Sequence, residues 1–285
     1  MLFSSFGKIL NSTLAPLGIK VVRTNYNSSI SSKKTNKINK DNKPDPPRFV
    51  NIGAGGWTHP LWHTLDNPSD WYSSLQSDKL DYQHDLMLDS PLPFESNSLE
   101  GVFCSHVIEH LPNENVQHLF NEVFRILASG GYFRVTCPDI KLIYDAFCRK
   151  DNFFMSRFAF QKRYQSLSLT SSFLHCFAAV LVEQHPYQGV RKVKDEEVEE
   201  IFNQLPLEEA LDYFTAMIPR ESQKSYPAYH LNWFHDQKLL EMLKVAGFKN
   251  RYISAFGQSR SPAMIDTNFF DTTKPWMSLY VECCK

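Results

Sequence analysis

Three kinds of residue in this 285-residue chain are equipped for chemistry, and each calls for a different partner. The first is the bare turn Gly53-Ala54-Gly55-Gly56 inside RFVNIGAGGW, where missing side chains let a ligand come up against the main chain. The second is a pair of spaced acids: Asp66 closes the run LWHTLD, and Asp85 stands beside Leu86 in DYQHDL. An ionised carboxylate accepts two hydroxyl donors at once, so an acid at a strand end suits vicinal hydroxyls. The third is a set of groups able to take a proton: His106 and His110 of HVIEH, Asp139 after YFRVTCP, and His230 of YHLNWFH. Each has a plainer use. Glycines after a strand often only turn the chain, Asp66 could cap a helix, Asp89 could stand in for Asp85, and a single histidine is more often a packed, hydrogen-bonded structural residue.

Hydrophobic patterning supplies the elements that must position these groups. Residues 49–52 read as the first strand, with further strands at 62–65, in a short run ending near Asp85 and at 101–105, and a polar helical stretch near 69–75. Over 113–128, Val116, Leu119, Phe120, Val123 and Leu127 recur on one helical face; Pro112 and Asn113 fit its start and Gly130-Gly131 its stop. YFRVTCPD is the next strand. Strands separated by helices pair in parallel, which predicts a Rossmann-like α/β fold, doubly wound about a mostly parallel sheet. Between 140 and 229 the pattern turns to phenylalanine-rich helical runs such as TSSFLHCFAAVLVE and to an acidic segment broken at Pro206, an inserted helical cap over the substrate. The core is then 48–139 with 230–285, whose tail holds a helix over 237–246, capped by Asp236 and ended by Gly247, and strands over 249–256 and 278–283.

A formal net charge of -1 gives no electrostatic ground for a polyanion, and no nucleic-acid partner is expected. Six cysteines without a CxxC pair, three of them in apolar runs, fit reduced thiols in a cytoplasmic protein. Residues 1–40 carry no Asp or Glu, and Leu2, Phe6, Ile9, Leu10 and Leu17 fall near one helical face. This amphipathic N-terminal segment, 1–23, could pack on its own domain, serve in targeting, or touch an anionic membrane surface peripherally through residues 1–22; it is too short and interrupted to span one. Residues 24–47, polar and rich in lysine, read as a flexible linker. Nothing in the composition sets an oligomeric state.

In an open α/β sheet the ligand lies beyond the carboxyl ends of the strands. A dinucleotide would need a third glycine opening a long helix and an acid about 20 residues on. Here the third glycine is missing and Asp66 arrives 13 residues after Gly53, too soon for that helix. What remains is a ligand needing close backbone approach at the first turn, a carboxylate for ribose hydroxyls and a further acid for an adenine edge, which describes S-adenosyl-L-methionine.

Through FVNIGAGG, WHTLD, DYQHDLMLDSPLPFESNSLEGVFCSHVIEHL, FNEVFRILASGGYFRVTCPD and LLEMLKVAGFK, in that order, the chain resembles a class I S-adenosylmethionine-dependent methyltransferase of the methyltransferase-11-like type. The resemblance covers most of 48–139 and 230–285; in addition, AFGQSRSPAM and SLYVE are similar to bacterial methyltransferases of surface-glycan type. It implies S-adenosyl-L-methionine as cofactor, with Gly53, Ala54 and Gly55 toward its methionine part, Asp66 at the ribose, Asp85 and Leu86 at the adenine, and His106 on the pocket floor near the methyl group. Such families usually carry an acid where this chain has Asn51, so the ammonium group would meet an amide instead. The implied reaction is methyl transfer to oxygen or nitrogen of a small-molecule or glycan-linked acceptor, with His106, Asp139 and His230 as catalytic candidates. A non-catalytic scaffold or cofactor sensor, and an NAD-dependent oxidoreductase, are the alternatives.

HVIEH also has the letters of an inverted zinc-peptidase motif, but that motif sits on a helix, and this one follows the strand GVFCS and precedes Pro112. Some metal-dependent small-RNA methyltransferases carry ExxEH at this place; His106 stands where the first Glu would be, and no metal is expected.

Overall fold

The computed structural model describes residues 47–68, 80–157 and 167–285. The expected N-terminal segment, all but the last residue of the linker and the polar helix near 69–75 lie outside the described residues; all that follows concerns the unit Asp45–Lys285.

Short runs with buried, alternating side chains become strands: β1 (Phe49–Ile52), β2 (His63–Asp66), β3 (Tyr82–Gln83) and β4 (Leu99–Ser105). After helix α1 (Asn113–Ile126) comes β5 (Leu127–Pro138), and β6 (Asn250–Ser254) and β7 (Ser278–Cys284) complete the sheet. The order is β3-β2-β1-β4-β5-β7-β6. β1 to β5 pair in parallel, and β7 runs antiparallel between β5 and β6. This is the mostly parallel, doubly wound Rossmann-like sheet that the strand–helix alternation predicts. Reversal of direction on either side of β1 makes its carboxyl end a topological switch point, where a crevice opens for ligand.

Val116, Leu119, Phe120, Val123 and Ile126 of α1 are buried against the sheet in one core with Val50, Leu65, Phe133 and Val281. The helix is shorter than its apolar pattern suggests. Leu127 adopts φ -66°, ψ 136° and already pairs with Leu99, so chain direction changes before the two glycines. Gly130 and Gly131 lie inside β5, where the Gly130 amide donates to Lys285 O at 2.9 Å and the Lys285 amide to Gly131 O at 3.1 Å. Lys285 supplies the backbone partner that keeps them in the sheet, with Gly130 at φ +80°.

From residue 140 to 225 the described residues contain helices α2 (Ile140–Cys148), α3 (Asn152–Ser156), α4 (Leu169–His175), α5 (Asp195–Gln204), α6 (Leu207–Thr215) and α7 (Glu221–Ser225), with no strand. The long run TSSFLHCFAAVLVE is not one helix. Ala178 leaves helical geometry (φ -139°, ψ 51°) and Ala179 N donates to His230 O, so only a 3-10 turn over Ala179–Leu181 follows α4. Phe173, Phe177 and Phe214 turn inward and, with Phe147 and Phe202, make a second core of their own. Pro206 separates α5 from α6 as its missing amide requires. Helix α8 (Asp236–Val245) is capped by His235, whose Nδ1 accepts from Lys238 N at 3.2 Å, while the expected cap Asp236 is the first helical residue.

Candidate cofactor and acceptor site

The carboxyl ends of β1 to β5 release the chain in turn at Gly53, Asp66, the segment reaching Asp85, His106 and Asp139. Gly53 takes φ +70°, its amide donates to Leu65 O at 2.8 Å, and a β-carbon there would lie 2.2 Å from Val107 Cγ2. That close approach to the β4 loop admits only glycine. Gly55 also has positive φ, +53°, but no atom lies within 4 Å of where its β-carbon would stand. Its amide donates to Asp66 Oδ2 at 2.7 Å, and Asp66 Oδ1 accepts from Asn67 N at 2.7 Å. Asp85 Oδ1 accepts from Met87 N at 2.9 Å, and Asn115 Nδ2 donates to Leu86 O at 3.3 Å, holding the adjacent apolar ledge.

Gly53, Gly55, Asp66, Asp85, Leu86 and His106 line one cavity of about 300 Å³. His110 belongs to the same wall, and Gln223, Lys224 and Pro227, at and beyond α7, close the far side. Two site candidates stand behind it. Ala54 and Asn51 are 6% and 3% exposed and do not line the cavity, though Asn51 Oδ1 is buried without a hydrogen bond. Asp139 is absent from the wall as well: its Oδ1 accepts from Lys141 N and Leu142 N at 3.0 and 3.3 Å, capping α2. Burial raises its carboxyl pKa and those two amide hydrogen bonds oppose the rise.

His106 follows β4 in left-handed geometry, φ 55°, with its amide on Thr136 O at 2.9 Å. Its ring is tied on both nitrogens: Nε2 lies 2.7 Å from Ser278 Oγ and Nδ1 3.1 Å from Glu109 Oε1. Ile108–His110 is a 3-10 turn, not the helix a zinc-peptidase motif requires. The carbonyl of Glu109 accepts from the amides of Leu231 and Asn232 at 3.0 and 3.2 Å, which brings His230 beside the turn. His110 and His230 then stack edge-on with ring centroids 5.0 Å apart. His230 does not line the cavity; it lies behind His110, with Nδ1 on Cys176 O at 2.6 Å.

Charge at this cluster is set by burial and proximity. Burial pushes the Glu109 carboxyl up, but His106 first, then His110 and His230, pull it down to about 2. Burial lowers His110, and it lowers His230 to about 3, with His110 adding to the effect. Glu109 is therefore a carboxylate, and His110 and His230 are neutral, at neutral pH.

Residues 70–135 match the family model described as a methyltransferase domain. No curated protein gives a significant match. Among solved structures the chain is similar to an S-adenosylmethionine-dependent methyltransferase from Mesorhizobium loti, at 15% identity and TM-score 0.39 over 84% of this chain and 93% of that one. It is also similar to a SAM-dependent methyltransferase from Archaeoglobus fulgidus (13%, TM-score 0.40, 85% and 87% covered). A third is human N-acetylserotonin methyltransferase in complex with SAM (11%, TM-score 0.36, 84% and 47% covered). The family match falls on the β3-to-β5 half of the crevice, where Asp85 and His106 stand.

What the match shows is a stretch, residues 70–135, similar to a methyltransferase domain. The residues present fit the expected cofactor, S-adenosyl-L-methionine: the open space in front of Gly55 admits a ligand at the main chain, and Asp66, Asp85, Leu86 and His106 line the same volume, within the range of small-ligand pockets. On the acceptor side the expected helical cap contributes little to the cavity wall. The aromatic residues of 140–229 fill their own core, and the residues that segment gives to the cavity are Gln223, Lys224 and Pro227. Those three carried no signal in the sequence. Glu109 did: its place inside HVIEH joins it to both histidines, but its role as the hub of the cluster depends on the distant His230.

Proposed function

We propose that the protein is an S-adenosylmethionine-dependent methyltransferase that acts on an oxygen or nitrogen of a small-molecule or glycan-linked acceptor. The observation that supports this most directly is the single cavity shared by Gly55, Asp66, Asp85, His106 and His110 on one side and Gln223 and Lys224 on the other. S-adenosylmethionine supplies, when bound, a methyl group already activated on sulfur. The chain's own task is to hold and align. Asp66, held by the amides of Gly55 and Asn67, takes the ribose hydroxyls, Asp85 and Leu86 take the adenine, and the amides of the glycine turn, with Ala54 behind them, take the methionine part. Asn51 Oδ1, buried and without a hydrogen bond, is the acceptor suited to the ammonium group.

His106 fixes the floor. With both ring nitrogens engaged it positions rather than exchanges a proton. His110 is the imidazole suited to the acceptor's proton: Nδ1 lies 3.1 Å from Tyr229 O, which can only accept, so the proton resides there and Nε2 keeps its lone pair. His230 backs His110, and Asp139 acts as the cap of α2. Residues 140–229 serve as the cap of the acceptor side, and the core is 48–139 with 230–285. The polar groups Gln223 and Lys224 suit the hydroxyls of a sugar, and the tail's likeness to enzymes of surface-glycan type points the same way.

Titration calorimetry with S-adenosylhomocysteine, followed by turnover assays over hydroxyl and amine acceptors including glycosides, tests this. Saturable binding and acceptor-dependent formation of S-adenosylhomocysteine are expected. Binding without turnover on any acceptor would favour a cofactor sensor, and selective heat stabilisation by NAD would favour an oxidoreductase.

A further inference from the structure

The feature that methyl transfer alone does not use is the buried carboxylate of Glu109. It is 1% exposed, and the nitrogen nearest to it is His106 Nδ1, 3.1 Å from Oε1. Its close neighbours are imidazole nitrogens: His106 Nδ1 at 3.1 Å, His230 Nε2 at 3.9 Å and His110 Nε2 at 4.0 Å. An ionised group buried this deeply is costly unless positive charge stands near it, and the Lys274 ammonium supplies part of that charge.

The tautomers of the two further imidazoles decide what they present to it. Nδ1 of His110 faces Tyr229 O at 3.1 Å, and Nδ1 of His230 faces Cys176 O at 2.6 Å. Carbonyl oxygens accept only, so each Nδ1 carries the hydrogen and each neutral ring turns the bare lone pair of Nε2 toward Glu109 Oε1. Three acceptor atoms converge, all within 4.8 Å of one another, with no hydrogen between them. Metal-binding histidines are held in this way, the second ring nitrogen donating to a backbone carbonyl.

We infer that Glu109, His110 and His230 form a site for one divalent transition-metal ion at the edge of the cofactor cavity. Two of the three separations are 4.0 and 3.9 Å and the third is no more than 4.8 Å, so a small contraction round a common centre gives the roughly 2.0–2.2 Å usual for zinc bound to nitrogen and oxygen. Two imidazoles with one carboxylate favour zinc, cobalt or iron over magnesium, which prefers oxygen donors. With three protein ligands the ion would keep an open position, and one of its ligands, His110, also lines the cavity. There the ion would lower the pKa of a bound hydroxyl so that its proton could pass to solvent water, the His110 lone pair then going to the metal instead of to that proton. This role, though not the binding itself, rests on the acceptor site proposed above. The Lys274 ammonium, which acts on both imidazoles, opposes a cation here, so an exchangeable ion is expected.

The test uses full-length, tag-free protein stripped by a chelator, titrated with Co²⁺ and Zn²⁺ in the absence of cofactor and acceptor. About one ion per chain is expected, with a visible Co²⁺ spectrum of mixed nitrogen and oxygen ligation. His230→Asn and Glu109→Gln should each weaken binding at least ~10-fold. His63→Asn, at the separate pair with Asp81, should not. Circular dichroism distinguishes a lost ligand from a lost fold. If the Glu109 variant does not fold, the imidazole nitrogen shifts of the unaltered protein on adding Zn²⁺ decide: two Nε2 atoms move if the inference is right. Absence of saturable binding, or binding that survives removal of both His110 and His230, overturns it. Since S-adenosylhomocysteine binding is measured separately, either result can fail alone.

Discussion

The Gly55 amide donates a 2.7 Å hydrogen bond to Oδ2 of Asp66, tying the turn after β1 to the carboxylate that ends β2. Removing that carboxylate takes away two backbone contacts and the acceptor for ribose hydroxyls. Asp66→Ala should weaken S-adenosylhomocysteine binding by at least ~1 kcal/mol, from lost hydrogen bonds to a charged acceptor, with Asp66→Asn intermediate. Calorimetry checks it, and unchanged affinity removes Asp66 from the site.

The two glycines of the turn should respond differently to alanine. At Gly53 a methyl group would lie 2.2 Å from Val107 Cγ2 on top of an unfavourable φ, so Gly53→Ala should destabilise the fold by ~2 kcal/mol or more. At Gly55 the space is open, and only the backbone preference, ~1 kcal/mol, opposes the change. Gly55→Ala should fold and lose cofactor affinity. Thermal unfolding beside ligand titration separates the two, and equal stability losses would show that the Val107 contact gives way.

Asp139→Ala should cost the cap of α2, about 0.5–2 kcal/mol of stability, while cofactor affinity and methyl transfer persist in the folded fraction. A rate loss of orders of magnitude with normal unfolding would return Asp139 to the catalytic set.

His175 gives a pH dependence away from the cavity. Burial, with Lys274 adding to it, lowers its pKa to about 4 from the ordinary 6.5. Unfolded chain then binds more protons than folded chain between those values, so stability is lost as pH falls from 6.5 towards 4. The gap corresponds to about 3 kcal/mol. Urea unfolding of wild type and His175→Asn at pH 7 and pH 4.5 should show the wild type losing more; parallel losses would contradict the assignment.

The sheet was legible because its strands are local apolar runs and its order follows from connections that must cross over. Asp66 and Asp85 were legible for the same reason, as acids at strand ends. The limits were set by long-range pairing. Gly130 and Gly131 look like a helix stop until Lys285 pairs with them, and the run after Ser168 looks like one helix until His230 O draws off the amide of Ala179. The cap of α8 is His235 rather than Asp236 because the buried imidazole, hydrogen-bonded from Nε2 to Glu208, is held where its Nδ1 meets Lys238 N. Asp139 has the right place after β5 but spends its carboxylate on α2. The phenylalanine-rich runs over 140–229 mark a helical insertion, and its amphipathic helices turn those side chains toward each other. Among the described residues no helix is long and apolar enough to cross a membrane, and all six cysteines are free.

A crystal structure with S-adenosylhomocysteine tests the central claim most directly. The ribose hydroxyls should lie within hydrogen-bond distance of the Asp66 carboxylate, with the adenine against Leu86 and Asp85 and the sulfur turned toward His106 and His110. A nucleoside bound elsewhere, or both carboxylates facing solvent beside it, would contradict the account.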